Sequence, residues 1–429
     1  MVRRPRLLPA VGTARNLFAA VLDDVLAPVP ARTARAARGT ADPLTDAGTA
    51  DPFGDGRPGD LPSAEAGQPG GMPADGGRPR ALPSDDGEPG ALPADDGRPG
   101  DLPLVLVACS GGPDSLALAV VAAHFARTGR CRVGAVVVDH ALQPGSADVA
   151  EAAARTLGAI GLDPVEVHRV SVDRDGLGPE AAARSARYAA LDDAAARLGA
   201  DAVVLGHTLD DQAEQVLLGL ARGSGTRSLA GMPVRRGLYR RPFLELRRAE
   251  TEAICAFSGL DPWHDPTNVD SSFARSRVRA EVLPFLEDRL GPGIAQALSR
   301  SAHILGQDAD HLEALTAEAY GGLRRIDDDG SVLLSEDALR ALPAALRQRV
   351  LALAALELGA FQPSFERLRA AEALLDRTGS AGPVQLGGQV SVHRQVRGRA
   401  VLRGAPSYGN LVLRNNRPGV KQSRRPTQE

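Results

Sequence analysis

The amino-acid sequence predicts an α/β fold, in which a doubly wound parallel sheet is followed by a smaller helical domain. Short, valine-rich apolar runs alternate with longer alanine-rich runs, and this alternation is typical of parallel strands joined by helices. A glycine-rich turn directly follows the first apolar run. We expect strands at 104–109, 132–140, 164–170 and 200–207, with helices at 114–128, 146–160 and 179–198 between them.

The segments before and around this core have different compositions. Residues 1–27 predict a short amphipathic helix, because Asp23 and Asp24 interrupt the apolar stretch that a signal peptide needs. Residues 28–102 are rich in proline and glycine, and from Gly56 onward a short unit recurs. We expect a disordered insertion there, since so few apolar side chains cannot offset the chain entropy. The catalytic domain, 103–290, is expected to end with a weak strand at 237–243 and a helix at 244–259.

The rest of the chain predicts a second, smaller region. Residues 291–376 are rich in alanine and leucine and predict helices. Residues 377–404 alternate between apolar and polar side chains, which predicts a small β-hairpin with Gly387 and Gly388 at its turn. Residues 405–429 predict a basic, disordered tail. No apolar run approaches the roughly 18 residues that a membrane span requires, so no membrane contact is expected.

Composition limits the chemistry that the chain can perform. The formal net charge is −3, so a nucleic-acid partner must meet a local basic surface. Lys421 is the only lysine, and arginine supplies the remaining positive charge. Cys109, Cys131 and Cys255 are far apart and form no CxxC pair. This spacing excludes a cysteine zinc site, an iron–sulfur site and a disulfide framework, and it fits the reducing cytoplasm.

The turn after the first strand reads SGGPDS, residues 110–115. Gly111 and Gly112 allow the backbone to approach a phosphate, and Pro113 suits the first turn of the next helix. The hydroxyls of Ser110 and Ser115 can donate to phosphate oxygens, and Asp114 can hold Mg²⁺. A Walker-type loop needs a lysine here, which excludes kinases and GTPases of that type. The alternative is an ordinary capped helix with no ligand.

Further polar residues follow the other strands. Asp139 and His140 end the second strand, and Gly206 and His207 end the fourth, where a doubly wound sheet binds its ligand. We expect these four residues to border a nucleotide.

Carboxylates and an arginine on two helices form another candidate group. Asp211 and Glu214 are three residues apart and share one helix face. They are able to grip an ammonium group, or they are first-turn acids that favour the helix dipole. Arg184 lies on the preceding helix, where pairing with Glu180 is the alternative to a functional role.

The motifs together resemble tRNA(Ile)-lysidine synthetases, a family of PP-loop ATP pyrophosphatases with the adenine nucleotide alpha hydrolase-like fold. The resemblance covers roughly residues 104–290, and its motifs occur in the family's order: SGGPDSLAL, VDHAL, EAAARSARY, GHTLDDQAE, ARGSG, RPFLELRR and HDPTNVD. Ser276 stands where the family usually has an asparagine. The helical region after 290 resembles the family's tRNA-contacting domain in position and length.

The resemblance implies a ligase that processes tRNA in the cytoplasm. ATP adenylates the wobble cytidine of tRNA(Ile) with a CAU anticodon, and L-lysine then displaces AMP. Residues 110–115 are implied to bind ATP, with Asp114 on Mg²⁺. Asp211 and Glu214 are implied to hold the lysine, assisted by Arg184. Arg222 and Arg241 are expected to offset charge on the pyrophosphate, and Arg275 and Arg277 to contribute to a basic tRNA-binding role.

Two alternatives remain at this stage. A tRNA-thiolating PP-loop enzyme has the same fold, but such enzymes use catalytic or cluster-binding cysteines, often paired. A nucleotide-binding regulatory protein without catalysis is the second alternative, and the intact SGGPDS and DDQAE motifs argue against it.

Overall fold

The computed structural model describes residues 8–27, 102–141, 145–171, 179–265, 273–376, 383–396 and 408–417. Within these ranges the chain forms two compact units that divide between residues 303 and 304. The predicted insertion therefore lies almost wholly outside the described residues, as do the last twelve residues of the predicted tail.

The N-terminal unit contains the predicted parallel sheet. Its strands are β1 (Leu104–Cys109), β2 (Arg132–Asp139), β3 (Val165–Arg169), β4 (Ala202–Leu205), β5 (Arg235–Arg236) and β6 (Tyr239–Arg240). They are ordered β3-β2-β1-β4-β6-β5, and all neighbours are parallel except the last pair. The weak strand predicted at 237–243 is thus a short antiparallel pair, because Gly237 at φ +55° reverses the chain there.

Helices cover both faces of this sheet. They are α1 (Pro9–Leu26), α2 (Pro113–Arg127), α3 (Ser146–Ile160), α4 (Pro179–Leu198), α5 (Leu209–Ala221), α6 (Thr226–Leu229), α7 (Arg248–Phe257), α8 (Ala274–Arg277) and α9 (Leu283–Leu290), with a π-helical turn at Val278–Val282.

The side chains of β1 alternate between two apolar cores. Val105 and Val107 pack with α1, α2, α3 and α7, whereas Leu104 and Leu106 pack with α4. Helices on both faces confirm the doubly wound fold class.

The C-terminal unit begins within α10 (Ile294–Leu323). It continues with β7 (Arg325–Ile326), β8 (Val332–Ser335), α11 (Glu336–Ala341), α12 (Ala344–Glu357), α13 (Phe365–Glu372), β9 (Val384–Gly387), β10 (Val390–Val396) and β11 (Tyr408–Asn415). The strands form one sheet in the order β7-β8-β11-β10-β9.

This sheet corrects three details of the sequence prediction. Residues 291–376 are not purely helical, because they include β7 and β8. The hairpin at 384–396 is present, but its two-residue turn is Gly388–Gln389, one position later than predicted. The predicted tail, 405–429, contains β11, whose buried Leu411 and Leu413 lie in the apolar core of the unit. None of the helices in the described ranges is both long and apolar enough to cross a membrane.

Candidate active site

The glycine-rich turn lies between the end of β1 and the start of α2. Gly111 has φ +80°, a left-handed conformation that glycine adopts without strain. The Ser115 hydroxyl accepts the Ser110 backbone N–H at 3.2 Å and donates to the Gly112 carbonyl at 3.0 Å. Ser115 is buried, whereas Ser110 is exposed. In this structure Ser115 therefore braces the loop, and the Ser110 hydroxyl is the one open to an incoming phosphate.

The end of β4 packs closely against the start of α2. A Cβ atom at Gly206 would lie 2.9 Å from the carbonyl carbon and oxygen of Asp114 and 3.0 Å from the Ser115 nitrogen. Real Cβ atoms do not approach backbone atoms this closely, so this position requires glycine. The close contact brings the helix that begins at Leu209 next to the glycine-rich turn.

The Asp114 side chain contacts α7. Its Oδ1 accepts the Thr251 hydroxyl at 2.5 Å, and its Oδ2 faces the Arg248 Nε at 3.3 Å. Burial raises the pKa of Asp114, while Arg248 and Thr251 oppose that rise. The carboxylate is thus held in place by two groups that the sequence analysis did not single out.

Asp211 lies at the start of α5, where it caps the helix and also contacts three arginines. Its Oδ2 accepts the Thr208 backbone N–H at 2.8 Å and the Thr208 hydroxyl at 3.0 Å, which caps α5. Its Oδ1 faces Arg248, Arg275 and Arg279 at 3.2–3.3 Å. Burial alone raises the pKa of Asp211, but Arg275 and Arg248 outweigh it and keep the pKa below its usual range.

Glu214 is completely buried among the same arginines. Its Oε2 accepts the Arg275 Nε at 2.9 Å, and its Oε1 accepts the Arg279 Nε at 2.6 Å. Arg248 Nη1 lies 3.8 Å from Oε1. The prediction that Asp211 and Glu214 share one face is confirmed by these common partners, and the partners in this structure are guanidinium groups.

The Arg248 side chain connects Asp114, beside the glycine-rich turn, with Asp211 and Glu214 on α5. The Arg248 guanidinium contacts Asp114 and Asp211 at 3.3 Å each and approaches Glu214 at 3.8 Å. The carboxylate beside the glycine-rich turn and the carboxylate pair of α5 therefore lie within the span of a single guanidinium group. We call Asp114, Asp211, Glu214, Arg248, Arg275 and Arg279 the carboxylate–arginine cluster.

Arg184 contacts Tyr188, which lies one turn later on α4. Its guanidinium lies 5.1 Å from the centroid of the Tyr188 ring and donates to the Tyr188 hydroxyl at 3.4 Å. Arg241, which is 2% exposed, reaches the same hydroxyl at 3.5 Å and donates to the Pro233 carbonyl. Tyr188 therefore joins two of the predicted site arginines.

The polar residues at the ends of β2 and β4 are largely engaged by the protein. Asp139 accepts the Ala141 backbone N–H at 2.9 Å. His140 Nε2 accepts from Arg187 at 2.9–3.0 Å, and burial, aided by Arg187, lowers the pKa of His140 to about 4. Burial lowers the pKa of His207 to about 3. Both imidazoles are neutral at pH 7, and within the described ranges their buried Nδ1 atoms have no hydrogen-bond partner.

The arginines predicted to bind the pyrophosphate (Arg222 and Arg241) and the tRNA (Arg275 and Arg277) include both exposed and internal side chains. Arg222, at the end of α5, and Arg277, on α8, are exposed. Arg275 instead belongs to the carboxylate–arginine cluster, and Arg241 is buried. Only the first two are therefore oriented to meet a large ligand in this conformation.

A cavity of about 180 Å³ opens beside Glu214. Charged side chains line one part of it, and Leu283, Pro284 and Ala295 form an apolar wall. Its charged lining residues are Asp210, Glu214, Arg247, Arg248, Arg279 and Glu287. An apolar wall beside charged groups suits a small ligand that has both a hydrocarbon chain and charged ends.

The three cysteines lack the properties of sulfur-transfer groups. Cys109, Cys131 and Cys255 are buried, and burial raises the pKa of each thiol, to about 11 for Cys131 and about 12 for Cys255. A thiol with a raised pKa is a poor nucleophile at pH 7, because the thiolate is the reactive form. These environments disfavour the thiolating alternative.

The fold and the turn define a PP-loop ATP-using enzyme. Residues 98–286 match the family model described as "PP-loop domain", and residues 334–401 match the model described as "TilS substrate binding domain". A curated tRNA(Ile)-lysidine synthase from Leifsonia xyli subsp. xyli is 52% identical over 293 residues, which cover 68% of this chain and 87% of that protein. This chain belongs to the tRNA(Ile)-lysidine synthase family.

Other relatives agree with this assignment. The tRNA(Ile)-lysidine synthase of Streptomyces coelicolor is 49% identical over 305 residues, which cover 70% of this chain and 85% of that protein. The tRNA(Ile)-lysidine synthase of Thermobifida fusca is 53% identical over 256 residues, which cover 60% of this chain and 78% of that protein. A solved U34-tRNA thiolase from Methanococcus maripaludis aligns with a TM-score of 0.42 and 17% identity over 48% of this chain and 72% of that chain. The family prediction is confirmed over the thiolating alternative.

Proposed function

We propose that this chain attaches L-lysine to the 2-carbon of the wobble cytidine in tRNA(Ile) with a CAU anticodon, converting ATP to AMP and pyrophosphate. The observation that carries the proposal is the position of Arg248, which contacts Asp114 beside the glycine-rich turn and Asp211 on α5 at 3.3 Å each. A nucleotide at the turn and an amine at α5 would therefore be close enough to react in sequence. The proposal places the enzyme in the cytoplasm, with its tRNA substrate.

The first step is adenylation of the cytidine. The 2-carbonyl oxygen attacks the α-phosphorus of ATP, the bond to the β-phosphate bridging oxygen breaks, and pyrophosphate leaves. The backbone N–H groups of the turn and the N-terminus of α2 favour the negative phosphates. The cytidine must leave its stack to reach this position. Arg222 and Arg241 are proposed to offset the charge of the leaving pyrophosphate.

The environment of Asp114 fits a magnesium ion that is held mainly by the nucleotide. No group of three or more potential metal ligands occurs in the described ranges. Mg²⁺ commonly binds through one or two carboxylates together with substrate phosphates, and the single carboxylate beside the turn suits that arrangement. When bound, Mg²⁺ would neutralise phosphate charge. Asp114 would have to exchange its contact with Arg248 for the ion.

The second step joins lysine to the activated carbon. The ε-nitrogen attacks the 2-carbon, the carbon–oxygen bond to AMP breaks, and AMP leaves with the electron pair. We propose that Asp211 and Glu214 orient the ε-amine and that Arg184 assists them. The ammonium form cannot attack, so it must lose a proton to one of these carboxylates or to water.

The arginine partners of these carboxylates have to move when lysine binds. In this structure three acids and three arginines balance in charge. An added ammonium group would disturb that balance unless a guanidinium group turned away. The phosphates of ATP offer Arg248 a new anionic partner, which would remove one of the three guanidinium groups around Asp211 and Glu214. This exchange predicts that ATP favours lysine binding.

The deciding experiment is incorporation of radiolabelled lysine by the purified chain. We expect label in tRNA(Ile) carrying CAU, with one AMP and one pyrophosphate released for each lysine added. The matched controls are the same tRNA with its wobble cytidine changed to uridine, and a reaction without ATP. Pyrophosphate release without lysine transfer would contradict the proposed second substrate. Label in both tRNAs would contradict the proposed anticodon specificity.

A further inference from the structure

Two phenylalanine side chains are unusually exposed in the C-terminal unit. Phe361 is 73% exposed and Phe365 is 61% exposed, although aromatic residues make up only 3% of the chain. Phe361 lies in the loop before α13, and Phe365 is the first residue of that helix. Exposed apolar side chains that lie together commonly mark a binding surface.

The backbone that presents these rings is braced by the neighbouring hairpin. A Cβ atom at Gly388 would lie 2.7 Å from the Ala360 Cα, and one at Gly387 would lie 2.9 Å from Arg367 Nη1. The turn between β9 and β10 therefore packs directly against the loop that carries Phe361. The Ser364 hydroxyl also caps α13 by accepting the Arg367 backbone N–H at 3.4 Å. A supported loop presents its side chains at lower cost in entropy than a free one.

Two exposed arginines lie on the same helix as Phe365. The Arg369 guanidinium lies 5.8 Å from the centroid of the Phe365 ring, and Arg367 occupies the same exposed turn of α13. Within the described residues neither guanidinium is paired with a carboxylate. Glu366, which directly precedes Arg367, hydrogen-bonds to its own backbone and to Ser364 at the helix start. The surface thus combines two exposed aromatic side chains with two exposed guanidinium groups.

We propose that Phe361, Phe365, Arg367 and Arg369 form a stacking surface for unpaired nucleotides of the tRNA substrate, outside its anticodon. Bases stack on aromatic side chains and arginine binds the adjoining phosphates, which is the usual composition of single-strand binding surfaces. An apolar protein partner would leave the two guanidinium groups without counter-charges. The inference rests on the proposed function, which assigns the wobble cytidine to the N-terminal unit and leaves other nucleotides for this surface.

The test is tRNA binding by full-length variants that remove the rings. The double variant Phe361→Ala, Phe365→Ala should have a Kd for tRNA(Ile) that is higher by about fivefold or more for each base that stacks. Replacing both residues by leucine should weaken binding to a similar extent, because leucine keeps the apolar contact but has no π face. Ile326→Ala is the matched control, since Ile326 is a 50% exposed apolar residue of the same unit. Its Kd should equal that of the wild type.

The salt dependence of tRNA binding and the kinetics of lysine incorporation test the surface independently. Arg367→Gln with Arg369→Gln should reduce the slope of log Kd against log salt by roughly 0.7–0.9 for each phosphate that these arginines neutralise in the wild type. The exposed Arg325 provides the matched control, Arg325→Gln. In lysine incorporation the phenylalanine variants should raise KM for tRNA and leave kcat unchanged. An isolated anticodon stem–loop should bind the wild type and the variants equally.

Several outcomes would contradict the proposed stacking surface without affecting the proposed function. Unchanged tRNA affinity in the alanine variants, or full binding by the leucine variants, would exclude stacking. A change of sedimentation coefficient in the tRNA-free variants would show that the rings join two copies of the chain. Failure of the wild type to incorporate lysine contradicts the proposed function instead, because the binding measurements do not depend on that reaction.

Discussion

Replacing Glu214 with glutamine is the most direct way to locate the lysine site. Glu214 is completely buried, and it accepts two arginine Nε donors at 2.6 and 2.9 Å. Glutamine keeps the shape of the side chain but removes its charge. A charge-assisted hydrogen bond to the ε-amine is worth roughly 1.5–3 kcal/mol, which corresponds to about a ten- to hundredfold change. We therefore expect KM for lysine to rise by that factor, with little change in KM for ATP.

The same substitution also has a structural cost that must be separated from binding. Removing one partner of a buried ion pair costs about 3–5 kcal/mol, because the other charge remains buried. Glu336 offers a matched control, since its side chain is 1% exposed and it pairs with Arg340 and Arg394 at 2.9 Å each. Glu336→Gln should destabilise the C-terminal unit to a similar degree and leave KM for lysine unchanged.

The assay titrates lysine and ATP separately against both variants and the wild type, at a temperature where all remain folded by circular dichroism. A selective rise in KM for lysine in Glu214→Gln supports the proposed role. Equal effects on both substrates, or an effect on ATP alone, would assign Glu214 to the phosphate side of the site. An equal rise in Glu336→Gln would show that lost stability causes the effect.

Three further predictions concern the turn and the adjoining histidine. Asp114→Asn should abolish pyrophosphate release with little loss of stability. The control Asp148→Asn, at the first turn of α3, should release pyrophosphate at the wild-type rate. Wild-type release by Asp114→Asn would disprove the assignment of Asp114 to the ATP site. Gly206→Ala should lower Tm and ATP affinity together, because its Cβ would lie 2.9 Å from the Asp114 backbone; an unchanged Tm would show that the contact relaxes easily. Burial depresses the pKa of His207 to about 3 from 6.5, so the unfolded chain binds more protons between these values. The neutral imidazole of His207 contributes its full stability above pH 6.5, and this contribution is lost as the pH falls. The Tm difference between the wild type and His207→Gln should therefore decrease from pH 7 to pH 5. A constant difference would contradict a buried neutral imidazole.

The sequence predicts the central elements well because their information is local. Apolar runs and helix-forming runs define α3 and α4 at the residues expected, and β1 likewise spans 104–109. The expected helix at 244–259 begins later, at Arg248, because the RPFLEL stretch forms turns before it. β11 was missed because the basic residues around it suggested a solvated tail, although Leu411, Val412 and Leu413 are apolar.

The site was predictable only where one motif contains all of the interacting residues. The motifs SGGPDS and DDQAE identify the candidate carboxylates directly. The contacts that connect these two motifs depend on Arg248, which is 134 positions from Asp114. Arg279 is likewise 65 positions from Glu214. Such pairs arise from tertiary packing, which no local pattern encodes. The basic SSFARSRVR stretch indicated positive charge, yet only the fold shows which arginines turn inward.

The order of strands in the C-terminal sheet has a consequence for biosynthesis. β11, the last strand along the chain, pairs with β8 on one side and β10 on the other. Until residues 408–415 have been synthesised, both neighbours expose an unpaired edge, and open edges promote association between chains. The N-terminal unit has its whole sheet by residue 240 and is able to fold first. A translation product that stops before residue 408 would therefore carry a complete PP-loop sheet beside an open C-terminal sheet, a form suited to removal by chaperones and proteases.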